Sequence, residues 1–150
     1  MSVTTRLGTA DDFETLSPLL EANCARLQLD WANYGPVAKQ ILADIDYGFF
    51  VIAEVEGAVA AFVFFTYEWS DWRDGVFYWI QGMETAGEQE DSVFKAIRAF
   101  VDSYKGKYKC CGVRLCGEKT LREQHQEAVK IFELTTSHYY IYNVDTPNQE

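Results

Sequence analysis

The segment Phe49–Tyr67, FFVIAEVEGAVAAFVFFTY, restricts the possible folds more than any other stretch of the chain. Two apolar runs, Phe49–Ala53 and Ala58–Phe65, flank Glu54-Val55-Glu56-Gly57. Aromatic and β-branched residues on both sides of a glycine-containing turn predict a β-hairpin, because glycine adopts positive φ without a steric penalty. The second run continues into a polar aromatic segment, Tyr67-Glu68-Trp69-Ser70-Asp71-Trp72.

The hairpin sits inside a readable order of elements. Val3–Leu7 alternates weakly and predicts a short first strand. Thr9 followed by Asp12 resembles a helix start, and Phe13, Leu16, Leu20, Cys24 and Leu27 fall on one helical face. Gly35-Pro36 predicts the opening of a second helix with Val37, Ile41 and Ile45 turned inward. After the hairpin, Asp71–Gly75 carries turn residues and Val76–Met83 reads as a strand. Glu88–Tyr104 is the clearest helix, with Val93, Phe94, Ile97, Phe100, Val101 and Tyr104 in register and Gly106 just past its end. Val113–Cys116 predicts a buried strand, Thr120–Leu134 a last helix, Tyr139–Val144 a closing strand, and 145–150 a frayed tail. The order β-α-α-β-β-β-α-β-α-β describes one α+β domain over residues 1–150. Its sheet is mixed and mostly antiparallel, with a right-handed parallel crossover from Val76 to Cys116.

Composition narrows the function classes. The chain has 150 residues, 48% of them hydrophobic, enough for a single sizeable core. A formal charge of −10 argues against binding nucleic acid through its phosphates and suits a cationic partner or substrate. The longest apolar run, Ala58–Phe65, is too short to span a bilayer, and the first residues carry no signal-peptide pattern, so the expected location is the cytoplasm. Cys24, Cys110, Cys111 and Cys116 lack the spacing of a zinc site, and no metal is expected.

On these residues the chain resembles the GNAT acyltransferases, and in particular the spermidine/spermine acetyltransferase branch. The opening TTRLGTADDFETLSPLL is similar to that family's first strand and helix, and Phe49–Phe64 to its strand pair. FFTYEWSDW resembles the aromatic segment of the polyamine branch, and Glu127–Leu134 the late helix. The resemblance implies central parallel strands that splay apart to admit the pantetheine arm of acetyl-CoA. It also implies direct acetyl transfer to a small cationic amine such as a polyamine, and it leaves a homodimer open. Cofactor contacts then fall at Gly82, Met83, Ala86 and Gly87. Amine contacts fall at Tyr67, Glu68, Trp69, Asp71 and Gln81, with Asp74 and Trp72 beside them. Tyr78 and Trp79 lie on the same strand, with core packing the simpler role for Trp79.

The chain also departs from the family's pattern. The glycine-rich phosphate loop, Arg/Gln-x-x-Gly-x-Gly/Ala, is replaced by Glu84-Thr85-Ala86-Gly87-Glu88-Gln89-Glu90-Asp91. Carboxylates at a helix N-terminus stabilise the helix and repel a pyrophosphate approaching the same N–H groups. The family's late-helix Asn falls near His125 and its Tyr acid at Phe132. His125 as base and Tyr139 or Tyr140 as acid, with Tyr142 next on the same strand, are the substitutes the chain offers. His138 reads as an exposed loop residue. A second reading is therefore a GNAT-fold protein that serves as a binding or regulatory partner without acetyl-CoA. A third is an acyl donor without a nucleotide pyrophosphate.

Overall fold

A computed structural model describes residues 2–115 and 126–133. Five strands form one sheet in the order β1 (Val3–Leu7), β2 (Gly48–Val55), β3 (Ala58–Ser70), β4 (Gly75–Thr85) and β5 (Cys110–Leu115). The first four pair antiparallel, and β5 lies parallel to β4. A 3₁₀ turn at Ala10–Asp12 leads into α1 (Phe13–Arg26), followed by α2 (Trp31–Ala43); α3 (Glu90–Ser103) crosses from β4 to β5, and α4 is Gln126–Ile131. No described helix is long and apolar enough to cross a membrane.

Both faces of the sheet are covered, which explains why β2 and β3 read as continuous apolar runs rather than alternating ones. Leu16, Leu20, Ile41 and Leu42 of α1 and α2 pack on Phe50, Ile52, Phe62 and Phe64. On the opposite face Val93, Phe94 and Ile97 of α3 and Ile131 of α4 pack on Val51, Val63, Phe65 and Tyr78. The expected hairpin is present, closed by Val55 opposite Ala58. Its two turn residues, Glu56 at φ 52° and Gly57 at φ 82°, both take the left-handed conformation that matches the twist of the flanking strands.

Element boundaries follow hydrogen bonding more than local composition. Asp12 accepts from the Thr9 N–H at 2.7 Å, so the expected helix start forms, displaced into a 3₁₀ turn. The second helix differs from expectation. It begins at Trp31, where the Asp30 carboxylate caps the Ala32 N–H at 3.0 Å, and it carries Gly35 and Pro36 in its interior. Its buried face is Tyr34, Ala38, Ile41 and Leu42, while Val37 and Ile45 are exposed. A capped start and a buried tyrosine outweigh the local turn signal of Gly-Pro. The strands β4 and β5 are longer than their sequence patterns suggest, and α3 is shorter at both ends. The expected strand at 139–144 and the tail at 145–150 lie outside the described residues.

Arg6 ties β1 to two neighbours. Its guanidinium donates to both Asp12 oxygens, at 2.9 and 2.8 Å, and to Glu54 at 3.1 Å. Hydrogen bonding from Arg6 holds the Asp12 carboxyl below the usual carboxylate range. A depressed folded-state pKa contributes stability above the unfolded carboxylate range and loses it as pH falls through the folded value. The thermal midpoint therefore falls as the chain is acidified below about pH 4. Asp12→Asn lowers the midpoint at neutral pH and flattens that acid decline; an unchanged acid slope in the variant would place the stabilisation elsewhere.

Candidate functional site

The strand β4 has two unequal edges. Along β3 it is paired from Gly75 to Thr85, whereas along β5 pairing covers only Val76–Ile80. β5 is described as far as Leu115, opposite Ile80, and among the described residues β4 runs on through Gln81–Thr85 with no strand beside it. The change happens at a β-bulge. Phe64 pairs with Gly82 and Phe65 with Ile80, which leaves Gln81 as the extra residue. Because of it, Ile80 and Met83 face the same α3 side although they are three positions apart. The result is a notch bounded by the backbone of β4, with the Gln81 side chain at its apex donating to Thr66 Oγ1 at 2.9 Å.

The notch wall is held from below by α1. Gly82 lies against Phe64 and Asn23, and a Cβ there would collide with the Phe64 ring. The fully buried Asn23 donates from Nδ2 to the Met83 carbonyl at 2.7 Å and accepts from the Tyr34 hydroxyl at 2.6 Å. Burial pushes the Tyr34 hydroxyl far above its usual range, so it stays a donor. One turn on, Arg26 donates to Glu84 Oε1 at 2.7 Å. Glu84 is 2% exposed, and its Oε2 is buried with no hydrogen-bond partner among the described residues. Glu84 is thus part of the strand and its α1 contact, not of the acidic start of α3. Met83 is itself fully buried, and its carbonyl is already held by Asn23.

The start of α3 carries the remaining acids. Gln89 occupies the N-cap without a side-chain cap bond, and Glu90 and Asp91 follow in the first turn. Lys95, one turn further along α3, is paired with Asp91 at 2.7 Å. Beside this start lies a cavity of about 240 Å³ walled by Val55, Ala58, Ala60, Ala86 and Val93. Gly87 opens onto it, and a Cβ there would meet nothing within 4 Å. Among the described residues Glu88 is the only charged one lining this cavity, and it is an acid.

The sequence-predicted amine contacts separate onto different surfaces. Tyr67 faces α3, where its ring joins Phe49, Tyr78 and Tyr108 and its hydroxyl donates to the Ile45 carbonyl at 2.9 Å. Glu68 faces the other way and accepts from Arg114 at 2.7 Å. Trp69 is 61% exposed and Trp72 89% exposed at the tip of the β3–β4 hairpin, together with Asp71. Gln81 alone of the five borders the notch. Trp79 is half-buried near the Arg114 guanidinium, 5.7 Å from ring to charge. His125, Tyr139 and Tyr140 lie outside the described residues. Among the described residues no cluster of three or more His, Cys, Asp or Glu is placed to hold a metal ion.

Asn23 and Tyr34 were not marked by any sequence pattern, since Asn23 reaches Met83 across 60 residues of chain, and Glu84 was read with the α3 acids rather than with Arg26, 58 residues away. Removing Asn23 strands both the Met83 carbonyl and the Tyr34 hydroxyl, and each buried unpaired group costs about 1–3 kcal/mol. Asn23→Ala is therefore expected to destabilise the fold by about 2–5 kcal/mol in urea titration. Tyr34→Phe, which strands only the Asn23 oxygen and loses one bond, costs about half as much. Equal effects below about 1 kcal/mol would show that the network does not brace β4.

No protein-family model and no curated protein matches the chain. Solved structures do. A possible acetyltransferase from Clostridium difficile 630 superposes with a TM-score of 0.77 at 22% identity, covering 99% of this chain and all of its own. A ribosomal-protein-alanine N-acetyltransferase from Brucella melitensis biovar Abortus 2308 gives 0.72 at 14% identity, covering 96% of this chain and 100% of that one. An aminoglycoside N-acetyltransferase solved in complex with CoA gives 0.69 at 12%, covering 96% and 95%. With the strand order, the crossover and the notch already described, these likenesses establish that the chain has the fold of the GNAT acetyltransferases.

Proposed function

We propose that the chain is an acyltransferase of the GNAT type, with acetyl-CoA as donor and a small amine, such as a polyamine, as acceptor. The observation that carries this reading is the notch beside Gln81–Thr85, in a sheet whose topology is shared with N-acetyltransferases. An unpaired strand edge presents N–H and C=O groups that an amide-bearing arm can satisfy as a neighbouring strand would. The hairpin tip supports a cationic acceptor: Asp71 and Asp74 stand beside exposed Trp69 and Trp72, a set suited to charge and cation–π contact. Glu68 is less available, being held by Arg114. His125, Tyr139 and Tyr140 remain the candidates for proton transfer.

The two ends of the donor fit unequally. The notch suits the arm, but the start of α3 does not suit a pyrophosphate, because Glu88, Glu90 and Asp91 stand there and Lys95 is already paired. That mismatch favours a second reading, a GNAT-fold protein that binds a partner without acetyl-CoA. Calorimetric titration of acetyl-CoA at moderate salt separates the two: a micromolar dissociation constant supports the acyltransferase, and absence of heat at millimolar donor contradicts it. Where binding is present, Glu88→Gly with Glu90→Gly removes two like charges. Affinity then rises about tenfold if α3 holds the phosphates. Unchanged affinity means that other cations hold them.

A further inference from the structure

The cavity at the start of α3 owes its space to small residues: Ala58, Ala60, Ala86 and Gly87 all line it. It holds about 240 Å³ between the turn end of the β2–β3 hairpin, the end of β4 and the first turn of α3. Val55 and Val93 complete an aliphatic wall. The Ala86 N–H donates to the Ala60 carbonyl at 2.7 Å, which carries the β3–β4 contact one step past Thr85 and fixes two of those alanines side by side. The cavity thus lies on the β3 side of β4, whereas the notch and β5 lie on the other.

Local structure does not account for glycine at position 87. Its φ lies outside the left-handed region, which among the described glycines only Gly57 adopts. A Cβ at Gly87 would meet nothing within 4 Å, so no neighbour excludes a side chain. Glycine where neither conformation nor contact requires it weakens the folded state, because the unfolded chain keeps more freedom there. Its effect is to leave the cavity open. Charge then selects what can enter. Glu88 lines the cavity and makes no ion pair among the described residues, in a chain whose net charge of −10 gathers cations. Thr85 Oγ1 donates to the Gly87 carbonyl at 3.5 Å and keeps its lone pairs to accept. Glu90 and Asp91, in the first turn of α3, offset the positive end of the helix dipole that would otherwise oppose a cation.

We infer that this cavity is a binding site for a short aliphatic primary amine, its alkyl chain against the alanines and valines and its ammonium on Glu88, with the Thr85 hydroxyl as a second acceptor. A neutral hydrocarbon would leave Glu88 without a partner, and an inorganic cation would leave the aliphatic wall idle. At about 30 Å³ per heavy atom, the share of one water in the liquid, the space takes about eight such atoms. That suits an aminoalkyl group of the size of butylamine, alone or as the end of a longer polyamine. The inference rests on the cavity and its charge, not on the acyltransferase reading, and it places the amine at the opposite end of β4 from Trp69 and Trp72.

The test is titration of n-butylamine at neutral pH and low salt, followed by the backbone amide shifts of the labelled protein. Saturable shifts at Ala58, Ala60, Ala86 and Val93 are expected, with a dissociation constant of about 1 mM for so small a ligand. n-Butanol, equal in length and neutral, is expected to bind about tenfold more weakly, and added salt to weaken the amine alone. Glu88→Gln, at an exposed position, lowers amine affinity about tenfold without moving the thermal midpoint. Gly87→Leu fills the space, removes the saturable shifts and raises the midpoint, since no contact or strain opposes the new side chain. Three results would overturn the inference: equal binding of amine and alcohol, unchanged binding by either variant, or shifts confined to the hairpin tip at Trp69 and Trp72. The titration contains no acetyl-CoA, so silence toward the donor contradicts the acyltransferase reading and leaves the cavity standing. Donor binding with butylamine silent does the reverse.

Discussion

The molecule depends on the way β4 satisfies its backbone. A strand in the middle of a sheet must find partners on two edges, and buried N–H and C=O groups left without them are costly. Among the described residues β4 does this fully toward β3 and only over its first half toward β5. The second half is steadied from a different direction, by the Asn23 amide on the Met83 carbonyl and by the Arg26–Glu84 pair beneath it. The Gln81 bulge lies at the transition, switching which residues face α1 and which face α3. The notch is therefore a braced part of the fold, its wall held by α1 on one side and, among the described residues, without a strand along the other.

Charge divides the molecule along α3. The acids of its first turn complement the positive end of the helix dipole, and the cations past its last turn complement the negative end. What stabilises the helix at its start works against an incoming phosphate there. The same helix end that many phosphate sites use has been given to Glu90 and Asp91, and the cations are gathered some 20 Å away, the length of a helix of this size. Arg98, midway along, is occupied by Asp102, Glu133 and the Ile131 carbonyl, so it contributes to the α3–α4 contact rather than to either end.

Much of this fold was legible in the sequence because the elements have strong periods. The β2–β3 hairpin, the apolar face of α3 and the crossover into β5 follow from residues close together on the chain. The α2 start was misplaced because Gly35-Pro36 is a strong local turn signal, whereas the Asp30 cap and the burial of Tyr34 depend on neighbours far away. Glu84 was grouped with the acids that follow it because they are adjacent in sequence; strand alternation after the bulge turns it under the sheet instead. The amine-binding segment Tyr67–Asp71 looked like one surface, but a strand sends successive side chains to opposite faces, and Tyr67 and Glu68 part accordingly.

The central claim is that the edge of β4 from Gln81 to Thr85 receives a ligand where a strand would otherwise lie. Amide hydrogen exchange of that segment, with and without saturating acetyl-CoA, tests it directly. Slowed exchange at Gln81–Thr85, with β2 and the hairpin turn at Glu56-Gly57 unchanged, is the predicted result. Exchange at those five residues that is identical with and without the donor would contradict the account.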